Sequence, residues 1–258
     1  MVAIDTYSPT RNFMIPGQLG RRTAEVLIKA QELASMDGFY RYVEIGSFKG
    51  HSLQPHIEDD ECTRALSIDL RPEITPDERA AILDYEKITV DQMIRNLRRR
   101  CGAEKLEKLE TLTDTSAALA THPSDAPYDL ALIDGEHTNR AAFQDFLNVS
   151  AVMRPGDHII CFDDTHIVYS GVINAIAHLR HMGVPHRALF CQGYITVLLV
   201  GERHVARADH IPEHTQLTPE QLWQDHQEPI VFAHLRDHMP HLLAENAELA
   251  EIARKALG

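Results

Sequence analysis

Short apolar runs of strand length alternate with helix-prone segments along most of the chain, and this alternation restricts the possible folds more than any other feature. The first five of these runs are 42–45, 65–70, 109–112, 130–134 and 158–162. A strand–helix alternation of this kind predicts a doubly wound, mostly parallel α/β sheet with helices on both faces. Ligands of such sheets bind beyond the carboxyl ends of the strands.

The remaining segments complete this prediction. A helix is expected over Gln18–Met36, surface helices within Pro76–Lys108, and a further helix over Gly171–His181. The apolar stretches 188–191 and 194–200 flank Gln192-Gly193, which predicts an antiparallel hairpin that brings the sheet to seven strands.

The tail beyond Gly201 is rich in His, Glu and Leu, and it predicts helices from Pro219 and over Leu242–Lys255 without any strand. We therefore expect one domain over 1–201 and a helical extension over 202–258 that serves as a lid or in oligomerisation.

Composition excludes several classes of protein. The formal net charge of −13 disfavours a nucleic-acid partner, and the arginines around Arg98 are expected to be a solvated helix face. No apolar run approaches the 18 or so residues of a membrane span, and the N-terminus lacks a signal-peptide pattern, so a cytoplasmic protein is expected. The four cysteines contain no Cys-x-x-Cys pair, which indicates reduced thiols.

A glycine-containing turn follows the first strand, in the sequence Glu44-Ile-Gly46-Ser-Phe-Lys-Gly50. Its spacing matches neither the Gly-x-Gly-x-x-Gly loop of dinucleotide sites nor the Gly-x-x-x-x-Gly-Lys loop that cradles phosphates. Glu44 would repel a pyrophosphate but would attract a cation or an amino group. Asp69 ends the second strand, where a carboxylate is able to accept hydrogen bonds from ribose hydroxyls.

Glu-x-Gly-x-x-x-Gly at this position resembles the first motif of the class I S-adenosylmethionine (SAM)-dependent methyltransferases. The resemblance covers about 18–201 and implies a Rossmann-like fold with SAM as the cofactor. It also implies polar contacts to adenine after the third strand. The implied cofactor-binding residues are Glu44, Gly46, Ser47, Gly50, Ser52, Asp69, Asp114, Ser116 and Asp134.

Three carboxylates follow the fourth and fifth strands: Asp134, in Asp134-Gly-Glu-His137, and the pair Asp163-Asp164. Carboxylates that converge at one sheet edge repel one another unless they share a proton, meet a basic partner or hold a divalent cation. Oxygen ligands suit Mg²⁺, Mn²⁺ or Ca²⁺ better than zinc.

This spacing is similar to that of the metal-dependent small-molecule O-methyltransferases of the catechol and macrolide-sugar types. The resemblance implies Mg²⁺ bound by Asp134, Asp163 and Asp164, with His137 as the base and Asp134 also catalytic. His166 is a secondary candidate. The expected reaction is methyl transfer from SAM to a hydroxyl of a small molecule, with no nucleic-acid or membrane partner and with a homodimer as the expected assembly. A metal-independent N- or carboxyl-methyltransferase and a non-catalytic SAM-binding protein remain alternatives.

Overall fold

The structure, a computed structural model, describes residues 13–71, 76–78, 87–191, 194–211 and 214–215, together with the single helical residues Ala244, Ala247, Ala250 and Glu251. The strands in these ranges are β1 (Tyr40–Ile45), β2 (Cys62–Ile68), β3 (Leu109–Leu112), β4 (Leu130–Ile133), β5 (His158–Phe162), β6 (His186–Cys191), β7 (Ile195–Val200) and β8 (His214–Thr215). The α-helices are α1 (Arg21–Ser35), α2 (Leu53–Glu58), α3 (Val90–Cys101), α4 (Asn139–Ser150), α5 (Thr165–His181) and α6 (Glu202–Val205), and 3₁₀ turns span Glu104–Lys108, Ser116–Ala120 and Ala208–His210.

The strands form one sheet in the order β3-β2-β1-β4-β5-β7-β6-β8. The first five are mutually parallel, whereas β7 is antiparallel to both β5 and β6. This confirms the predicted Rossmann-like, mostly parallel sheet with its antiparallel hairpin. The chain winds outward in opposite directions from β1 and β4, so a cleft opens between the carboxyl ends of these two strands.

Both faces of the sheet are covered, which explains why the strands read as continuous apolar runs. One apolar cluster joins the sheet to α1, α2 and α3 through side chains such as Leu33, Ile57 and Leu97. A second joins the other face to α4 and α5, with Phe146 and Val172 fully buried. The sheet is therefore a rigid platform whose carboxyl edge carries the loops.

The tail contains one strand that the sequence pattern did not predict. His214 and Thr215 pair antiparallel with Cys191 and Phe190 of β6. The expectation of a strandless tail is wrong here because the outer edge of β6 offers unpaired backbone groups that even a two-residue segment is able to bind. The predicted helices from Pro219 and over Leu242–Lys255 otherwise lie outside the described residues, as does the predicted hairpin turn at Gln192-Gly193.

The helix expected from Gly171 begins six residues earlier, at Thr165. Gly171 lies inside α5 at its contact with α4. A Cβ there would be 2.7 Å from the carbonyl oxygen of Asn139, so the absence of a side chain lets α5 approach α4. The residue therefore marks a helix contact and not a helix start.

Within the 76–108 segment, α3 begins with a capping box in which Thr89 and Gln92 exchange side-chain and backbone hydrogen bonds. The side chains of Arg95 and Arg98–Arg100 are exposed on this helix, as expected of a solvated face. The four cysteines are unbridged. In the described part of the chain, every helix is too short or too polar to cross a membrane.

Candidate functional site

The loops after β1, β2, β3, β4 and β5 enclose a cavity of about 620 Å³ at the carboxyl edge of the sheet. Most of the residues predicted from sequence line it: Gly46, Ser47, Ser52, Asp69, Asp114, Ser116, Asp134, His137, Asp163 and Asp164. Residues that are up to 118 positions apart in the chain thus meet in one space because parallel strands end at the same edge.

The loop after β1 lies directly against the loop after β4. Gly46 has φ +88°, and a Cβ at this position would be 1.8 Å from the carbonyl oxygen of Asp134. Its amide donates to the carbonyl of Ile68 (2.8 Å). Glycine is required here both by the backbone angle and by the contact, and the contact closes the floor of the cavity.

Glu44 is a predicted cofactor-binding residue whose side chain does not line the cavity. It is fully buried, where it accepts hydrogen bonds from Tyr42 Oη (2.5 Å) and Ser52 Oγ (2.8 Å). Burial raises the pKa of Glu44 to about 7, although these donors lower it. The carboxyl group therefore supports the loop from beneath.

Gly50 also lies outside the cavity lining. It has φ +86°, and a Cβ there would be 3.0 Å from Met93 and 3.1 Å from Leu97. This glycine lets the end of the loop pack against α3, so it positions the loop through packing.

Asp69 lies at the cavity wall just beyond β2. Its Oδ2 accepts the amide hydrogen of Phe48 (2.7 Å) and lies 3.1 Å from the guanidinium of Arg71. Arg71 also lines the cavity, and the sequence analysis did not single it out. Its position before a proline indicates only that the strand ends there.

A polar group lies at the β3 side of the cavity. Ser116 Oγ donates to Asp145 Oδ1 (2.5 Å) and accepts from Asn148 Nδ2 (2.8 Å). Burial raises the pKa of Asp145 to about 6, against the lowering effect of Ser116. Asp145 was missed, although its position gives a signal: it lies on the buried stripe of α4 between Ala142 and Val149.

Asp134, His137 and Asp164 form the tightest cluster of metal-ligating atoms in the described residues. One ligand atom from each lies within 4.8 Å of the other two. His137 Nε2 is 3.4 Å from Asp134 Oδ1 and 3.5 Å from Asp164 Oδ2. Asp163 lines the same cavity but lies outside this group of three.

The pKa values of His137, Asp134 and Asp163 are shifted by burial and by the charges of the neighbouring groups. Burial lowers the pKa of His137, but the carboxylates of Asp134, Asp164 and Asp163 outweigh this effect and raise it to about 9. Burial and the neighbouring carboxylates raise the pKa of Asp134 and of Asp163. Without a cation, the imidazolium of His137 is therefore the positive charge between these acids.

The predicted secondary candidate, His166, lies beside this cluster. Its Nδ1 is 3.7 Å from Asp164 Oδ1, and its ring packs against the exposed ring of Tyr194 at a centroid distance of 4.1 Å. Asp164 has φ +47°, so β5 has ended and the chain turns before α5 begins. This turn allows Asp163 and Asp164 to reach the same cavity although they are adjacent in sequence.

The N-terminal segment contributes one wall through Gly17, Gln18 and Leu19. Gln54 Oε1 accepts from the amides of Met14 (2.8 Å) and Ile15 (3.0 Å) and so holds the segment against α2.

Comparison with known proteins gives one family match. Residues 43–165 match the family model of a methyltransferase domain. No curated protein sequence matches the chain. Similar solved structures include the O-methyltransferase TomG from Streptomyces achromogenes in complex with SAM, with 18% identity and a TM-score of 0.48 over 71% of this chain and 82% of TomG. Another is the O-methyltransferase from Bacillus cereus in complex with SAH, with 14% identity and a TM-score of 0.48 over 77% of this chain and 93% of that one. The matched segment begins within β1 and ends at the first residue of α5, so it includes both the glycine loop and the acidic cluster.

Proposed function

We propose that the chain is a class I SAM-dependent methyltransferase that transfers a methyl group from SAM to a hydroxyl group of a small molecule, because residues 43–165 match the family model of a methyltransferase domain. The observation that carries this proposal is that one cavity at the strand-order switch holds both a carboxylate beyond β2, at Asp69, and an acidic cluster, at Asp134 and Asp164. A cofactor and an acceptor would meet between these two ends.

The residues present fit SAM. Asp69 offers a carboxylate to the ribose hydroxyls, and Ser116 with Asn148 offers polar atoms of both kinds to an adenine edge. The carboxylates of the cavity favour a ligand that carries an ammonium and a sulfonium. When bound, SAM supplies an electrophilic methyl group, and the protein contributes orientation and electrostatics.

The acidic cluster also fits a divalent cation. Single ligand atoms from Asp134, His137 and Asp164 lie within 4.8 Å of one another, and carboxylate oxygens suit Mg²⁺, Mn²⁺ or Ca²⁺. We propose that Asp134 and Asp164 are ligands, with Asp163 or His137 as the third. A histidine nitrogen in the set would favour Mn²⁺ over Mg²⁺. A bound cation would lower the pKa of an acceptor hydroxyl.

We further propose that His137 removes the proton of the acceptor hydroxyl. The imidazolium must first lose its own proton, which requires that other positive charge compensates Asp134 and Asp164. Nε2 of the neutral His137 ring would then face the cavity edge at which the carboxylates of Asp134 and Asp164 lie.

A second candidate is metal-independent methyl transfer to a nitrogen or a carboxylate. The observation that favours it is the position of His137, whose ring lies within 3.5 Å of both carboxylates and already compensates their charge. Such an enzyme would retain its activity in EDTA.

The decisive first experiment is isothermal titration with S-adenosylhomocysteine (SAH), which needs no acceptor. We expect micromolar binding that Asp69→Asn weakens at least tenfold, about 1.4 kcal/mol. Absence of binding by the wild-type protein would refute the methyltransferase proposal. Methyl transfer to a panel of phenols and sugars, measured with Mn²⁺ and with EDTA, then separates the two candidates.

His137→Ala separates the two roles of this histidine. If His137 is the base, Mn²⁺ affinity is retained while turnover falls by about 10²- to 10⁴-fold. If it is a ligand, Mn²⁺ affinity itself falls.

A further inference from the structure

We propose that Arg71 is a positioning residue of the cofactor site, which fixes Asp69 and the strained residue Phe48 in the geometry that receives a ribose. The proposal rests on the proposed SAM-binding function. Arg71 follows β2, its side chain is only 5% exposed, and it lines the cavity.

Arg71 joins the end of β2 to the loop after β1. Its Nη1 donates to the carbonyl of Phe48, and its Nη2 lies 3.1 Å from Asp69 Oδ2. The amide of Phe48 donates in turn to the same oxygen of Asp69 at 2.7 Å. These three residues therefore form a closed ring of contacts between two loops that are not adjacent in sequence.

The contacts determine which oxygen of Asp69 is available to a ligand. Oδ2 accepts from Phe48 and faces the guanidinium, so its two lone pairs are used by the protein. Within the described ranges, Oδ1 accepts only the amide of Arg71, at 3.2 Å. The carboxylate of Asp69 remains 19% exposed, and Oδ1 is thus the oxygen with capacity for a ribose hydroxyl.

Phe48 shows why such a clamp is needed. It has φ +42°, an angle that is strained for a bulky non-glycine residue unless its surroundings hold it. Its amide is held by Asp69 and its carbonyl by Arg71. Loss of the guanidinium would release the carbonyl of Phe48 and allow the loop after β1 to move away from Asp69.

An arginine suits this position better than a lysine. The planar guanidinium reaches two acceptors at once, whereas an ammonium is a single point charge on a flexible stem. Met93 Sδ, 3.1 Å from Nη2, limits the space on its remaining side. Burial lowers the pKa of Arg71, and Asp69 opposes this effect, so the ion pair stays charged.

The test is a double-mutant cycle on SAH affinity with Arg71→Met, Asp69→Asn and the combined variant. We expect Arg71→Met to weaken binding about tenfold and Arg71→Lys about threefold. In the Asp69→Asn background, Arg71→Met should add less than a twofold effect, because Arg71 acts through Asp69.

Arg41→Met is the matched control. Arg41 is also largely buried, with 11% of its side chain exposed and an ion pair to Asp125 (2.8 Å), but it lies at the opposite end of β1. The substitution Arg41→Met should lower the melting temperature and leave SAH affinity unchanged.

Three outcomes would overturn the proposal: wild-type affinity in Arg71→Met, additive effects in the cycle, or an equal loss of affinity in Arg41→Met. If Arg71→Met does not fold, Arg71→Lys carries the same test. A wild-type protein that fails to bind SAH refutes the proposed function and this inference together, whereas binding that ignores Arg71 refutes the inference alone.

Discussion

At the scale of single residues, burial decides which carboxylates of the site are available to a ligand. Glu44 is fully buried and saturated by hydroxyl donors, whereas the side chains of Asp69 and Asp164 are 19% and 32% exposed. All three lie at or near the carboxyl end of a parallel strand, yet only the latter two open to the cavity. A carboxylate in such a motif therefore stabilises the loop or binds a ligand according to where its strand ends.

The buried state of Glu44 predicts a pH-dependent stability. Its pKa in the folded protein is about 7, above the ordinary value of 4.5, so ionisation of the folded state costs stability as pH rises between these values. Glu44→Gln removes this titration. Relative to the wild type, the variant should gain on the order of 2–3 kcal/mol in unfolding free energy between pH 5 and pH 8. Urea unfolding at both pH values measures it, and a difference that is constant with pH would contradict it.

The geometry of the acidic cluster also predicts an order among its members. Asp164 lies in the group with Asp134 and His137, whereas Asp163 does not. We expect Asp164→Asn to weaken Mn²⁺ binding at least tenfold, and more than Asp163→Asn does, as measured by direct titration of the protein loaded with SAH. The reverse order would restore Asp163 as the ligand that the family resemblance implies.

Sequence reasoning placed at the cavity the residues whose position depends on strand ends, and it did not find those whose position depends on side-chain contacts. Asp69, Asp134 and Asp164 are predictable because each follows an apolar run. Arg71 is not predictable in this way, because its proposed role arises from a contact with Phe48 between two loops.

At the scale of elements, the close approach of the β1 and β4 loops is the feature on which the cavity depends. We expect Gly46→Ala to prevent folding or to lower the free energy of unfolding by more than about 3 kcal/mol, since its Cβ would lie 1.8 Å from a backbone oxygen. In a variant that folds, SAH binding should weaken more than tenfold. Gly38→Ala is the control: Gly38 also has positive φ (+118°) but no atom within 4 Å of a Cβ. It should cost about 1–2 kcal/mol and leave SAH affinity unchanged. Chemical denaturation and titration of both variants measure this, and equal effects would contradict the role of the contact.

Element boundaries were predictable where the apolar run itself ends the strand. The runs 109–112 and 158–162 match β3 and β5 to the residue. The start of α5 was wrong because Gly171 looks like a helix breaker until the neighbouring helix α4 is known. The short β8 strand was missed because two residues carry no periodicity.

At the scale of the whole molecule, the two ends of the sheet have different tasks. The carboxyl edge carries the cavity, whereas ion pairs such as Arg207 with Asp37 (2.7 Å) and Arg41 with Asp125 lie near the opposite edge. The strand–helix alternation predicted the α/β sheet and the net charge disfavoured a nucleic-acid partner, but neither contains information on the acceptor. That information is in the shape and polarity of the loops around the cavity.

Asp69 and the acidic cluster at Asp164 follow different strands of the sheet, so the proposed ribose wall at Asp69 and the proposed cation site should have separable ligand effects on global stability. A ligand at 100 times its Kd stabilises the folded state by about 2.7 kcal/mol, roughly 5–10 °C for a domain of this size. Thermal unfolding of Asp69→Asn should lose at least about half of the shift caused by SAH and keep the shift caused by Mn²⁺, and Asp164→Asn should show the opposite. Both variants are measured with each ligand alone. Loss of both shifts in either variant would mean that the two ends of the cavity form one coupled site, in which cofactor binding cannot be assigned to the ribose wall alone.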